Sequence, residues 1–576
     1  MSGTAPPPGD PQDVPGEPDG RDDVPAGTGS VRRGAALMAS GTAVSRLLGF
    51  LRAVVLALAI GSTGQAADAF SVANKLPNVL YMLLAGGVLN AVLVPQVVRA
   101  YRRRAGQEYV DRLLTFGFVL LGAVTLVLTL AAPLLVWMYT DREAGEGLRG
   151  LAIAFAYWCI PQLFFYGVYA LLGQVLNARG SFGPYMWAPV VNNVVAIAGF
   201  GAFIALTGGV GSGSGRSAAD WGAGEIALFG GVSTLGVACQ ALVLVPFLRR
   251  AGVRYRWRWG LRGSGLGRAG KVATWTFVGL TIGQLGYLVV SRVASAAPRA
   301  AGSGAADIAG NAAYDYAFML FMLPHSLVTV SLATALFTRL SAQAHDGDVA
   351  GVRASLSSGL RVVGLFTLIA AAGLVVLAQP VVQLVLLGEP QGAIDAVSGV
   401  LVAMALGLPA FGAWSMCQRV YYAYEDARSM VPVQVAMAAV VVGGTLLGQA
   451  VLPSSSWVAT AGLSMSVSYL LGTVLAIVAL RRRLGGSIDG YHVLRTHARA
   501  TLAALAAAAA GVAVLVVVQS NAAGGVGGAV LQCAAAGTVM VLVYLGGLRL
   551  LRVEELDRLI GPVLRRLRGR RRPRDV

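Results

Sequence analysis

The sequence predicts an all-α polytopic membrane protein with about 14 transmembrane helices. Of its 576 residues, 56% are apolar and only 12% are charged, a balance far from that of soluble globular domains. Apolar runs of roughly 20 residues, the length of a helix that crosses a bilayer, recur along the whole chain. Arginines gather in every second connection between these runs, which also indicates an orientation.

The start of the chain differs from the rest. Residues 1–30 contain seven prolines and six acidic side chains but a single arginine, a composition typical of disorder. They lack the basic start and the short apolar core of a cleaved signal peptide. We therefore predict a disordered acidic cytoplasmic tail, followed by a first span that stays in the membrane.

Fourteen apolar segments follow this tail, and each is predicted to form one membrane-spanning helix. Several contain proline or polar residues, as expected of helices that bend or line a cavity. The predicted spans are residues 36–61, 67–98, 113–140, 150–176, 184–207, 224–248, 270–297, 312–338, 360–387, 394–420, 431–452, 457–480, 500–519 and 527–548.

Loop charges predict the orientation. The connection after the sixth span holds eight basic residues and no acidic one between positions 249 and 271. Arginines also follow the second and twelfth spans, whereas the intervening connections are neutral or acidic. By the positive-inside rule, the basic loops and both termini lie in the cytoplasm. The net charge of +18 therefore belongs to these loops and to a basic tail at 551–576, and it predicts contact with membrane lipids rather than nucleic acid.

Two stretches of the chain repeat a spacing. Asp68 precedes Leu76-Pro77 by the same number of residues as Asp315 precedes Leu323-Pro324. A second echo pairs residues 174–179 with 423–428. We predict two six-helix lobes, related by a pseudo-twofold axis along the membrane normal, with a cavity between them.

These lobes have predicted boundaries. They are an N-terminal lobe at 31–250 and a C-terminal lobe at 251–485, and residues 486–550 add spans 13 and 14 without a counterpart.

Two arginines lie inside the first span. Arg46 sits about ten residues past the entry of the span, and Arg52 follows six residues later. An arginine at such depth costs roughly 3 kcal/mol, so it needs water, a partner or an anionic ligand. We predict a cationic cavity. The alternative, an arginine that snorkels to an interface, suits Arg52 better than Arg46.

No motif in the chain indicates catalysis. The four cysteines have no metal-ligand spacing, and no nucleotide-binding loop or hydrolase signature is present. An integral-membrane enzyme acting on diphosphates would need paired loop acids for a divalent metal. Asp141, Glu143 and Glu146 carry no such supporting motif. We expect a transporter rather than an enzyme, with no cofactor and no metal.

These residues resemble a known family. The opening signature is similar to that of MurJ (MviN) proteins, the bacterial lipid II flippases of the multidrug/oligosaccharidyl-lipid/polysaccharide exporter superfamily. Further similarities occur around Pro184 and Pro432. The residues that carry the signature are Ser45, Arg46, Leu48, Gly49, Phe50 and Arg52, then Asp68, Ala69, Phe70, Val72, Ala73, Lys75, Leu76, Pro77 and Asn78, then Val94 and Pro95.

The resemblance implies a function. Such a protein moves undecaprenyl-diphosphate-linked peptidoglycan precursor (lipid II) from the inner to the outer leaflet of the bacterial plasma membrane, with cell-wall synthesis proteins as further partners. It implies that Arg46 and Arg52 line a central cationic cavity, and arginine suits phosphate oxygens because its fork binds them bidentately. The expected substrate-binding residues are Arg46, Arg52, Lys75, Asn78 and Arg292, and the structural or coupling candidates are Asp68, Pro77, Asp315 and Pro324.

Lys75 has a second reading. It follows Asp68 by seven residues and lies on the same helical face. The sequence therefore leaves two roles for Lys75, a structural pair with Asp68 or a contact with substrate.

This chain departs from the family pattern in three places. A basic pair is replaced by Tyr81-Met82, an acidic residue by Gly86, and an arginine of the second lobe by Met319. We expect Arg292 in the seventh span, the repeat partner of the first span, to face the cavity and to supply part of the charge lost at Met319. Its alternative is an arginine that snorkels to the outer headgroups.

The departures keep a second transport function open. The chain would then be an ion-coupled exporter of a small molecule, or of another polyprenyl-linked saccharide, in the same superfamily. Asp68 and Asp315 are the carboxylates that such coupling would use, although helix capping or packing between lobes also explains them.

Overall fold

The computed structural model describes residues 28–84, 107–208, 218–260, 270–302, 307–486, 488–521 and 525–556. Regular structure in this part is helical. Its α-helices are α1 Thr28–Ile60, α2 Gln65–Leu84, α3 Gln107–Leu130, α4 Ala132–Tyr139, α5 Glu146–Cys159, α6 Gln162–Ala178, α7 Gly183–Thr207, α8 Ala223–Leu242, α9 Leu244–Arg250, α10 Gly270–Ala300, α11 Asn311–Pro324, α12 Val330–His345, α13 Val349–Val376, α14 Ala378–Val385, α15 Gln391–Ala405, α16 Leu408–Ala423, α17 Val431–Val451, α18 Trp457–Arg483, α19 Gly490–Asn521 and α20 Val526–Leu550.

The all-α polytopic class is confirmed. Twelve helical segments of the described part are long and apolar enough to cross a membrane, or 13 if the pair α15–α16, bent by 48°, counts as one span. The predicted second span, 67–98, begins with α2, and its continuation lies outside the described residues. The count of 14 therefore stays a prediction. Helix α1 begins at Thr28, inside the segment predicted to be a disordered tail, whereas residues 1–27 lie outside the description.

Several spans are broken. The predicted span 113–140 divides at Ala131 into α3 and α4, where Pro133 occupies the first turn of α4. The span 150–176 divides at Ile160-Pro161. A proline inside a helix lacks the N–H for its own hydrogen bond and clashes with the preceding turn, so it favours such breaks. In the eighth span, Pro324 is followed by a π-helical turn at His325–Thr329.

Helices α1 to α9 pack together. Phe70 of α2 lies at the centre of their aromatic core and meets the rings of Phe155 and Phe229 edge to face, with centroids 5.4 and 4.7 Å away. The chain after α9 stays with this lobe, because the Tyr255 hydroxyl bonds to Thr115 Oγ1 of α3 at 2.8 Å. The segment after α9 thus packs on the first lobe, and the boundary at residue 250 stays a prediction.

Helices α10 to α18 form the second packed group, and α19 and α20 pack on each other and on its α13 and α14. The Tyr544 hydroxyl of α20 donates to the Leu365 carbonyl of α13 at 2.7 Å. Arg361 of α13 forms an ion pair of 3.1 Å with Glu555, just beyond α20. This is the position expected for an appended helix pair. Residues 557–576 of the predicted basic tail lie outside the description.

The two lobes share a turn that supports the repeat. After α6, the Ser181 N–H bonds to the Leu176 carbonyl, and after α16 the Asp426 N–H bonds to the Tyr421 carbonyl. The residue before each donor has a positive φ, 74° in one turn and 54° in the other, as in Schellman caps. The equivalent turns lie 245 positions apart. The sequence echo of residues 174–179 with 423–428 has an offset of 249 positions. The two offsets thus differ by four residues, about one helical turn.

Candidate functional site: a polar cavity between the lobes

A cavity of about 440 Å³ lies between α1, α2, α6, α7 and the second-lobe helix α11. Three of the predicted substrate-binding residues, Arg52, Lys75 and Asn78, meet in it, together with Met319, one of the departures from the family pattern. The full lining is Gly49, Arg52, Ala53, Leu56, Ile60, Gly61, Ala67, Phe70, Ser71, Asn74, Lys75, Asn78, Tyr166, Asn193, Ala312, Asp315, Tyr316 and Met319.

Helix α1 contributes one stripe of this lining. Gly49, Arg52 and Leu56 recur at helical spacing, and the Arg52 guanidinium lies 6.0 Å from the centroid of the Phe200 ring. Arg52 is thus a cavity residue, and the expectation that it suits a snorkelling role better than Arg46 is wrong. Arg46 is half-buried and lies three residues before Gly49 on the same helix, but it is not among the residues that line this cavity.

Lys75 joins the lobes. Its ammonium forms an ion pair with Asp315 of α11, and it lies 4.8 Å from the ring centroid of Tyr287 on α10. Ser71, one turn earlier on α2, donates to the second oxygen of Asp315 at 2.6 Å. The suggested pair between Lys75 and Asp68 is therefore wrong, because Asp315 takes the lysine across the interface.

Asp68 makes a different contact between the lobes. It is 2% exposed, and its Oδ1 accepts a 2.8 Å hydrogen bond from the Ala312 N–H in the first turn of α11. A carboxylate there satisfies a donor that has no partner within the helix and meets the positive end of the helix dipole. Gly310 leaves room for it, since a Cβ on that residue would collide with the carboxylate. Asp68 thus caps a helix of the opposite lobe.

The repeat residues are therefore engaged with each other. Asp68 of α2 binds the start of α11, and Asp315 of α11 binds Ser71 and Lys75 of α2. The prolines that follow in the repeat, Pro77 and Pro324, lie within or at the end of the same two helices.

A second cavity of about 360 Å³ opens on the other side of Lys75. Its walls come from α2 and from the second-lobe helices α10, α11, α16, α17 and α18. Three of its polar side chains are Gln284, Gln434 and Ser468. Lys75 therefore lies between the polar cavity shared by the two lobes and a more apolar cavity lined mostly by the second lobe.

Arg292 lies elsewhere, and this corrects the expectation that it faces the cavity beside Met319. Its Nε donates to the Met138 carbonyl at 2.7 Å, and its guanidinium lies 5.2 Å from the Trp137 ring centroid. A second nitrogen of the guanidinium lies 3.5 Å from the Trp137 carbonyl. Both carbonyls belong to the last turn of α4, where a helix has no internal donors left for them. A cation is favoured at that end of a helix, so Arg292 serves as a cap between the lobes.

The same region holds further contacts between lobes. Arg299 of α10 binds Asp141 at 2.5 Å and Glu143 at 2.9 Å, and Ser291 donates to the Tyr139 carbonyl at 2.9 Å. We call the end of the bundle that carries loops 61–64, 140–145 and 386–390 the outer end. The inter-lobe contacts there form what we call the outer seam.

The departures from the family pattern occupy different surroundings. Tyr81 packs against Tyr166 at a ring distance of 5.5 Å within the first lobe. Met319 lines the cavity, as the resemblance to the family implies. Gly86 lies outside the described residues.

Sequence reasoning missed several lining residues. Ser71 and Asn74 are on the face of α2 that also carries Lys75, and the polar spacing of three to four residues was a usable signal. Tyr166 and Tyr316 had no such signal, because an aromatic residue in an apolar span is ordinary. Asn193 binds the Ser45 carbonyl at 2.9 Å, which holds α7 against α1.

Comparisons with known proteins identify the family. A family model described as "Lipid II flippase MurJ" matches residues 56–534. A probable lipid II flippase MurJ from Haemophilus influenzae is 28% identical over 81% of this chain and 89% of that protein. The lipid II flippase MurJ of Burkholderia cenocepacia is also 28% identical, over 77% of this chain and 82% of its own length.

Solved structures agree on the fold. A structure titled "Lipid II flippase MurJ, inward closed conformation" covers 92% of this chain and 100% of its own, with a TM-score of 0.66 at 17% identity. An inward-facing multidrug MATE transporter of the MOP superfamily covers 75% of this chain and 98% of its own, with a TM-score of 0.57 at 15% identity. The family model spans most of the sequence, and the chain therefore belongs to the MurJ family of lipid II flippases.

Proposed function

We propose that this protein moves lipid II from the inner to the outer leaflet by alternating access through the cavity between its lobes. The observation that carries the proposal is the meeting of Arg52, Lys75 and Asn78 in a polar cavity beneath a closed outer seam. Family membership and the names of its relatives support the same substrate.

The chemistry of the cavity supports an anionic headgroup. A diphosphate and the carboxylates of a stem peptide are anions, and Arg52 offers them a planar fork in a site shielded from water. Lys75 is engaged by Asp315 in this state. An arriving anion would compete for that ammonium, so substrate binding would weaken a contact that holds the outer seam together.

The outer seam has the properties expected of a gate. Polar contacts that cross it include those of Asp68, Asp315 and Arg299. The hydrogen bonds between the lobes that are named above lie in this half of the molecule. A transporter whose lobes separate at that end would release its headgroup there.

We also infer the setting of the protein. Both termini would lie in the cytoplasm of a bacterial plasma membrane, with the outer end facing away from it, as the basic loops favour. Cell-wall synthesis proteins are the partners expected. The chain would act by transport and not by catalysis.

The deciding experiment uses the purified protein in proteoliposomes with fluorescent lipid II. We expect lipid II to reach the opposite leaflet faster than in protein-free vesicles. Transport of another polyprenyl-linked saccharide in preference to lipid II would favour the alternative function. Depletion of the protein in its source cell should cause lipid II to accumulate in the inner leaflet, and accumulation of a different precursor would contradict the proposal.

A cross-link tests the gate directly. The Asp141 N–H lies 3.3 Å from Ser295 Oγ across the outer seam. Cysteines at these two positions should form a disulfide that stops transport, and reduction should restore it. Each single-cysteine variant is the matched control. Normal transport by the oxidised double variant would overturn alternating access at this end.

A further inference from the structure

Glu389 is a carboxylate buried at the outer seam that the proposed transport mechanism does not use. It lies in the loop between α14 and α15 and is 7% exposed. The turn between α1 and α2 faces it, since a Cβ placed on Gly61 would lie 3.3 Å from its Oε1. Gly61 has a φ of 87° and brings the turn close without a side chain.

Polar atoms without partners collect at this place. Neither oxygen of Glu389 has a partner in hydrogen-bonding geometry, and the buried hydroxyls of Ser62 and Tyr316 have none either. A buried carboxylate with so few donors is costly in its charged form. A protonated carboxyl costs less and adds an O–H donor. A proton is the smallest ligand that such a cluster accepts.

Burial, rather than neighbouring charge, favours a proton on Glu389. The titratable neighbours on the surrounding elements are Tyr316 and Asp315 of α11, Asp68 of α2, Asp307 before α11 and Asp395 of α15. Asp315, Asp68 and Asp395 are held by other partners, and no basic side chain of the described residues pairs with Glu389. Burial raises the pKa of Glu389 to about 7, and the nearby Ser62 N–H offsets this only in part.

We propose that Glu389 is the proton-binding group of a latch, protonated while the lobes meet at the outer seam and ionised when the seam opens to water. The inference rests on the alternating access of the proposed function. It adds that opening at this end releases a proton to the outer solution.

The sign of the pH dependence follows from linkage. The closed state binds the proton more tightly than the open state, where a carboxyl in water has its ordinary pKa near 4.3. Lower pH therefore favours the closed seam, and this preference is lost as the pH rises through about 7. The closed-to-open ratio should fall roughly 80-fold between pH 5 and pH 8.5.

Pulsed electron paramagnetic resonance measures that ratio without substrate. Spin labels would be placed on Glu146→Cys of the first lobe and Ser455→Cys of the second lobe, both exposed at the outer end, after the four native cysteines are replaced. In nanodiscs, the short-distance population should dominate at pH 5 and give way to longer distances above pH 7. The Glu389→Gln variant, which keeps the neutral form, should stay closed at every pH.

The Asp395→Asn variant is the matched control. Asp395 is an exposed carboxylate on α15, held by the amides of Gln379 and Gln391, so its removal should leave the pH response of the wild type. A wild-type distance distribution that does not change between pH 5 and pH 8.5 would overturn the latch. A Glu389→Gln variant whose distances change with pH as those of the wild type do would also overturn it. So would closure of the outer seam at pH 8.5 on addition of sodium but not of potassium. Because no substrate is present, failure of lipid II transport leaves this readout intact.

Discussion

At the scale of single residues, Arg52 is the side chain on which anion binding depends most. It is half-buried beside the Phe200 ring and lines the polar cavity, as Tyr166 does. Replacing it by alanine should reduce lipid II transport by about 10- to 100-fold, the value of one or two hydrogen bonds to a charged group. Initial rates in proteoliposomes measure the loss.

The arginine fork gives this prediction its control. Arg52→Lys keeps the charge but not the bidentate geometry, so it should retain an intermediate rate. Arg249→Ala, an exposed arginine at the end of α9, should transport at the wild-type rate. Equal rates for Arg52→Ala and the wild type would remove the cationic cavity from the mechanism.

Asp315 is the residue whose change should move the gate. In Asp315→Asn, Lys75 loses its ion pair and Ser71 loses a charged acceptor. Charged hydrogen bonds of this kind contribute about 1.5–3 kcal/mol, so the open population at the outer seam should rise roughly tenfold or more. The spin-label distances between positions 146 and 455 measure this change, and an unaltered distribution would show that the pair does not hold the seam.

At the scale of helices, Gly310 should control how α11 is capped. A Cβ at this position would collide with the Asp68 carboxylate, so Gly310→Ala should break the cap and loosen the contact between α2 and α11. We expect a lower melting temperature in detergent and a more open outer seam. Gly443→Ala on α17 has open space around it and should be neutral or slightly stabilising.

A buried ion pair helps to hold the appended pair α19–α20 on the second lobe. Glu555 is buried and pairs with Arg361, so Arg361→Met should leave an unpaired buried charge and destabilise the protein by about 3–5 kcal/mol. The double variant with Glu555→Leu should recover most of this loss. Thermal unfolding measures the stability of both variants. A double variant no more stable than Arg361→Met alone would contradict a buried ion pair between Arg361 and Glu555.

Helix existence was predictable from the sequence, whereas helix breaks and caps were not. Apolar length alone locates spans such as α7 and α17, because hydrocarbon demands continuous internal hydrogen bonding. The predicted span 113–140 ends close to the end of α4, but the sequence does not indicate that the free carbonyls there lie beside α10. Arg292 binds those carbonyls, which is why the prediction that it faces the cavity was wrong.

At the scale of the whole molecule, the packing of one lobe on the other was the part hidden from the sequence. The repeat of Asp68 and Asp315 indicated two equivalent helices, but not that each carboxylate binds the opposite one. Glu389 had no signal at all, since its burial comes from a turn more than 300 positions away. Contacts between lobes depend on how two surfaces meet, and local composition does not record that.

The orientation of the molecule decides which solution the outer seam faces. Ala219, beyond α7, and Arg256, beyond α9, are exposed at opposite ends of the span α8–α9. In a cysteine-free background, Ala219→Cys should react with a membrane-impermeant maleimide in intact cells. Arg256→Cys should react only after the membrane is permeabilised, because the basic segment around it is retained in the cytoplasm. The reverse pattern would place the outer seam toward the cytoplasm, and the proton released by Glu389 and the lipid II headgroup would then leave on the wrong side for export.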